Sequence, residues 1–171
     1  MFSFNKKVFF VIIIALILLY AFFRISSADK VFNDNDDLSE KESIEKLVDS
    51  FGSKLKNVSL LEPRENLIDS IDENYSEFVS DELLQQWKND PRSAPGRVSS
   101  SPWPERIEIA DFEKLSDEEY NITGRIVELT SREAAHGGIA AVRPVKISVK
   151  KIGEKWLINS IAVGKYEKFT E

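Results

Sequence analysis

The 171-residue chain carries no cysteine, a single histidine and a net charge of −6, which excludes disulfides, cysteine-based zinc sites and a lipidated cysteine as a membrane tether. Its apolar content of 42% and aromatic content of 11% are those of a folding chain rather than a disordered tail. Three of the 23 basic residues (Lys6, Lys7, Arg24) stand in the first 24 positions with no acid among them, so the remaining 20 face all 29 acids, and a domain of net −9 lacks the basic stripe of a nucleic-acid binder.

The run Val8 to Phe23 is uncharged and almost free of polar groups. A spanning helix needs about 20 mostly apolar residues, and Phe2, Phe4, Ile25 and Ala28 extend this one past its basic flanks. Residues 1–28 therefore read as a cytoplasmic tip and one transmembrane helix. Lys6, Lys7 and the amino terminus outweigh Arg24, so the positive-inside rule leaves the amino terminus in the cytoplasm and the rest of the chain outside the cell membrane. Ser26-Ser27-Ala28 offers the alternative of a signal cut after Ala28, which would release a secreted domain. The apolar run is longer than the roughly 7–15 residues of a signal core, and Phe22, Phe23, Arg24 and Ile25 crowd the approach to the cut. Both features favour a retained anchor.

Residues 29–38 form an acidic linker in which Asp29, Asp34, Asp36 and Asp37 surround few apolar side chains. They do not make a calcium loop, since Ser39 or Lys41 stands where an EF-hand needs its glycine. Residues 39–171 are left for one globular domain. Ser39 and Glu42 have the spacing of a capping box, which predicts a helix start. Ile44, Leu47, Val48, Phe51, Leu55 and Val58 then recur on one helical face. Pro63 suits the first turn of a second helix carrying Leu67, Ile68, Ile71 and Tyr75. Ser80 caps a short third helix with Leu83, Leu84 and Trp87 on one side, closed by Asp90-Pro91.

Residues 90–106 hold four prolines, one glycine and four serines, a composition predicting a long ordered loop rather than a helix or central strand. Beyond them the apolar period changes to two. Ile107 and Ile109, then Tyr120, Ile122, Gly124 and Ile126, then Val145, Ile147 and Val149, then Trp156 and Ile158 predict four strands. A change of parity at Ile126-Val127 calls for a bulge or a strand buried on both faces. Gly153-Glu154 marks a tight hairpin. The fold class is α+β: about three helices packed on an antiparallel sheet of about four strands, behind a transmembrane helix.

The closing segment Val145 to Ile161, a strand, a glycine turn and a strand opening Lys155-Trp156-Leu157-Ile158, resembles the last hairpin of NTF2-like (cystatin-like) domains. The likeness extends over residues 39–163 through the order of helices before strands and through Tyr75 to Ser80 ahead of a short helix. It implies a curved sheet closed by helices into a conical pocket, which family members use as an enzyme cavity or as a scaffold. In layout the chain is similar to single-span scaffold subunits of bacterial secretion and conjugation machines. Two functions follow as expectations. One is a non-catalytic module that binds protein partners at the cell envelope; the other is a small-ligand pocket or an isomerase or dehydratase on the same fold.

Catalytic and metal-ligating signatures are sparse. The resemblance implies a cavity aspartate or an Asp-His pair for the enzymatic branch, whereas the one histidine, His136, lies among small residues between two strands and reads as a solvated loop side chain. Asp111, Glu113 and Glu128 stand beside apolar neighbours, a pattern that points them to solvent. No cofactor motif and no hydrolase triad is present. The interaction candidates are Arg97, Trp103, Arg106, Arg125 and His136. Trp103, held between Pro102 and Pro104, either presents a recognition surface with Arg97 and Arg106 or folds back over the open end of the core, the second being favoured. Arg125 either faces a pocket and holds an anion or lies exposed on its strand.

Overall fold

A computed structural model describes residues 37–168. The apolar run Val8 to Phe23, the cleavage motif and the linker up to Asp36 lie outside these residues. Among the described residues no helix is long and apolar enough to cross a membrane.

Helix α1 covers residues 37–54, so Ser39 stands inside it and does not cap it, a correction to the expected start. The chain divides into two compact units, Met1–Glu42 and Ser43–Glu171. In the first, Lys41 and Asp37 pair at 2.9 Å. In the second, the apolar stripe is buried as its spacing requires, with Ile44, Val48 and Phe51 fully inaccessible. A 3₁₀ turn, Leu55–Asn57, continues the stripe. Helix α2 (Arg64–Tyr75) follows Pro63 and buries Leu67, Ile71 and Tyr75. Helix α3 (Asp81–Asn89) starts where the Ser80 hydroxyl accepts from the Leu83 amide at 3.3 Å, and it buries Leu83, Leu84 and Trp87.

Strands β1 (Trp103–Ser116), β2 (Glu119–Leu129), β3 (Ala141–Ile152) and β4 (Lys155–Val163) form an antiparallel meander in that order. A short β5 (Glu167–Lys168) pairs with β3 at Ala141 and Val142, beyond the end of β4. Three elements exceed expectation: this fifth strand, helix α4 (Ser131–His136) between β2 and β3, and a 3₁₀ turn (Pro91–Ser93) in the proline-rich segment. The proline-rich segment is also shorter than predicted, since β1 already begins at Trp103 and includes Pro104. Strand β1 is an edge of the sheet, where a missing amide is tolerated.

The parity change resolves into both of its alternatives. The register slips between Pro104 and Arg106, opposite Glu128 and Val127, so the bulge is on β1. Strand β2 is meanwhile buried on both faces from Ile126 to Leu129. Gly153 (φ +64°) and Glu154 connect Ile152 to its partner Lys155, the two-residue turn expected from sequence.

The helices cover one face of the sheet. Phe51 lies 4.9 Å from Tyr75 and stacks on Trp87 at 6.4 Å, while Tyr75 meets Trp87 edge-on at 5.6 Å. These rings belong to one core with Ile107, Tyr120, Ile122, Ile126, Ile147, Val149 and Ile158. A side chain at Gly52 would stand 2.8 Å from the Ile107 amide, so α1 reaches β1 this closely because that position is glycine. At the other edge, the Ser80 amide donates to the Ile158 carbonyl and the Ile158 amide to Phe78, which covers part of β4.

Candidate functional site

The core face of the sheet carries two charged residues at one end. Ile122 and Ile126 point to the core, and two residues further along the same face stands Glu128, 1% exposed. On β3 the alternation of Val149, Ile147 and Val145 leads likewise to Arg143, 7% exposed. Arg143 is the cross-strand partner of Ile126, and Glu128 that of Ala141, which makes the acid and the base diagonal neighbours. Their Nε and Oε1 atoms are 2.6 Å apart.

Helix and loop groups complete the cluster. The Arg143 Nη2 donates to the Gly96 carbonyl at 3.2 Å, and the Tyr75 hydroxyl donates to the adjacent Pro95 carbonyl at 2.7 Å. The loop is held by a two-residue ladder in which the Arg97 amide donates to Val58 and the Leu60 amide to Arg97. Burial pushes the Glu128 carboxyl above the usual carboxylate range, outweighing the Arg143 charge and hydrogen bond that act in the opposite direction. Burial also raises the Tyr75 phenol, against the smaller pull of Arg143. Tyr166, just before β5, is raised by partial burial and by the Glu128 charge.

Over this cluster lies a groove of about 260 Å³ whose walls include Leu60, Arg92, Val98, Ile161 and Val163, with Arg143 also contributing to its lining. Glu128 does not line it. A molecule in the groove would meet a guanidinium, with the carboxylate behind.

The expectation that Glu128 points to solvent is therefore corrected. Flanking Val127 and Leu129 suggested that it alternates outward, yet all three side chains are buried because β2 is covered on both faces there. Asp111 and Glu113 are exposed as expected. Arg143 was missed by sequence reasoning, although the parity of the isoleucines and valines on β2 and β3 carries the signal for both partners.

The five interaction candidates occupy separate settings, apart from one pair. Arg106 and Arg125 converge on Glu108, on the sheet face away from the helices. Arg106 Nη2 lies 2.5 Å from Glu108 Oε1, and Arg125 Nη2 lies 2.7 Å from Oε2. Burial would raise the Glu108 carboxyl, but the hydrogen bonds and charges of both arginines outweigh it and hold it below the usual range. Trp103 is half-buried, outside the core cluster, with its Nε1 donating to Glu105 Oε2 at 3.0 Å. Lys56 holds the other Glu105 oxygen at 2.9 Å. Arg97 joins the site through its backbone; its Nε is buried without a hydrogen-bond partner. His136 ends α4, exposed, with Nδ1 at 3.1 Å from the Arg132 carbonyl. Among the described residues no group of three or more His, Cys, Asp or Glu could hold a metal ion.

No family model and no curated protein matches the chain. Similar solved structures include an Ntf2-like protein involved in plasmid conjugation, 14% identical with a TM-score of 0.46, over 78% of this chain and 42% of that one. Another is an NTF-2-like protein of unknown function from Shewanella oneidensis MR-1, 14% identical with a TM-score of 0.43, over 74% and 99% of the two chains. The chain thus spans less than half the length of the first. The fold itself is an α+β domain with helices on one face of an antiparallel sheet.

Proposed function

We propose that the chain is a bitopic membrane protein whose Val8–Phe23 span holds an NTF2-like domain outside the cell membrane, where it serves as a non-catalytic interaction module for protein partners of the cell envelope. The observation that carries this reading is the filled interior. Phe51, Tyr75 and Trp87 pack against one another within the core, and the buried carboxylate at one end of the sheet is committed to Arg143. A general base must come within hydrogen-bond reach of the proton it takes. Glu128 is almost inaccessible and is absent from the groove lining, which favours a scaffold over the isomerase or dehydratase alternative. The raised Glu128 carboxyl is the feature that speaks for that alternative.

Crosslinking in intact membranes, with recovered partners identified by mass spectrometry, tests the module. Reproducible envelope partners are the expected result, and recovery of none overturns it. Amino-terminal sequencing of the native protein tests the anchor. A mature chain beginning at Asp29 would replace it with the secreted form.

A further inference from the structure

We propose that the groove over Arg143 receives the carboxyl terminus of a partner polypeptide whose last residue is apolar; this rests on the interaction-module reading and gives it a site and a chemistry. The domain as a whole is acidic, yet the groove lining contains two guanidiniums, Arg92 and Arg143, and no carboxylate. That local reversal of sign selects an anion.

The two arginines contribute differently. Arg143 is buried, its Nε in ion-pair contact with Glu128 but outside hydrogen-bond geometry, and its Nη2 bonded to the Gly96 carbonyl. A guanidinium has five N–H donors, so these contacts leave Nη1 uncommitted. Its charge is partly neutralised from behind by Glu128, which makes it a positioned donor more than a source of net charge. Arg92 is exposed and has no ion-pair partner among the described residues. It supplies the unbalanced positive charge at the rim. Both line the same groove, and a guanidinium makes short, charge-assisted hydrogen bonds to a carboxylate.

The remaining walls ask for an apolar group beside that carboxylate. Leu60, Val98, Ile161 and Val163 line the groove, and Val98 is 51% exposed. An inorganic anion would leave these surfaces in water. The volume of about 260 Å³ lies below the ~300–1,000 Å³ common for drug-sized ligands and suits a terminal residue better than a cofactor. Capture of a terminal carboxylate is a recurring mode of peptide recognition.

The test is a titration of the isotope-labelled full chain in detergent micelles with acetyl-Ser-Gly-Ala-Leu bearing a free carboxylate, followed by NMR. Saturable shifts at Ala94, Val98 and Gly164 are expected, with affinity at least tenfold weaker for the same peptide amidated at its carboxyl end. Arg92→Ala is expected to weaken the free acid about tenfold, and Val98→Asp to abolish saturation. Both positions are exposed, so these variants are expected to keep the fold, which the unshifted resonances of the far sheet face check. Equal affinity for acid and amide, an unaffected Arg92→Ala, or no saturable shift in the groove overturns the proposal. Binding of N-acetyl-leucine as tight as that of the peptide would also overturn it, by assigning the groove to a small molecule. Envelope partners recovered by crosslinking while the groove stays empty would remove this site and leave the interaction module standing.

Discussion

Glu108 and Glu128 both meet arginine across the β1–β2–β3 sheet, on opposite faces, and their carboxyls shift in opposite directions. Glu108 is half-buried between Arg106 and Arg125, and two charge-assisted contacts hold it below the usual range. Glu128 has one arginine in a dry setting, and its loss of hydration outweighs that attraction. Proximity to a cation therefore does not set the sign alone; the balance between lost hydration and the arginine contacts does. The buried pair is costly to form and costly to break, whereas the exposed trio is cheap in both respects.

The sharpest way to break this comparison is to remove one buried partner. Glu128→Ala leaves the Arg143 charge beneath the core without its counter-ion, and a loss of about 3–5 kcal/mol is expected from denaturant unfolding. Replacing both members, Glu128→Leu with Arg143→Met, should recover most of that loss, because an apolar pair carries no desolvation cost. A double variant as unstable as the single would show that the hydrogen bond to Gly96, and not the ion pair, holds the site.

Titration sharpens the same contrast. Carboxyl NMR should place Glu128 above and Glu108 below the ordinary glutamate value. The stability consequences have opposite signs. Folded Glu128 binds its proton more tightly than the unfolded chain does, so its contribution to stability declines as pH rises from the ordinary carboxylate value through its own raised one. Folded Glu108 binds its proton less tightly, so its contribution is present above the ordinary value and disappears as pH falls through its lowered one. Glu128→Gln should remove the first slope and leave the second. Two carboxyls titrating together would remove the distinction between the faces.

The comparison also marks where the sequence was readable. Helical spacing located Ile44, Val48, Phe51, Ile71, Tyr75 and Trp87 in the core because a 3.6-residue stripe on a charged cylinder has one stable orientation. The Gly153 turn was equally legible, since a two-residue hairpin demands a positive φ. Glu128 was misread for a local reason. Its neighbours Val127 and Leu129 gave it the look of an outward polar residue, and only the parity running back through Ile126 and Ile122 assigns it to the core. The loop site was hidden more deeply: Arg143 is 47 residues from the Gly96 carbonyl it serves, and no local pattern encodes that distance. Proline-rich composition signalled a loop from Pro91 onward, but Pro91–Ser93 form a 3₁₀ turn and an edge position allowed β1 to extend back over Pro104.

A smaller effect is expected at Tyr75. Its hydroxyl donates to the Pro95 carbonyl at 2.7 Å in a fully buried setting. Tyr75→Phe keeps the ring contacts with Phe51 and Trp87 and leaves one buried acceptor without its donor, at a cost of about 1–3 kcal/mol. The accompanying readout is the groove. Loosening the Pro95-Gly96 carbonyls should disturb the resonances of Ala94 and Val98 but not those of the Arg106–Glu108–Arg125 trio on the far face. Disturbance of both faces would mean that the sheet transmits the change and that the two sites are not independent.

The smallest effect is expected at Arg125→Ala. Both its Nε and its Nη2 contact Glu108 Oε2, at 2.8 and 2.7 Å, and good geometry alone would argue for a strong interaction. Exposure argues otherwise, since water solvates both charges whether or not they meet, and ordering two long side chains costs rotamer freedom. Arg106 also stays on the other oxygen after the substitution, so Glu108 keeps a cation. A loss of about 0.2–1 kcal/mol is therefore expected, shrinking further in high salt as the Debye length contracts. A salt-insensitive loss above about 2 kcal/mol would place this trio with the buried pair, and the difference between the two faces would then have to come from the number of arginines around each carboxylate instead of from water.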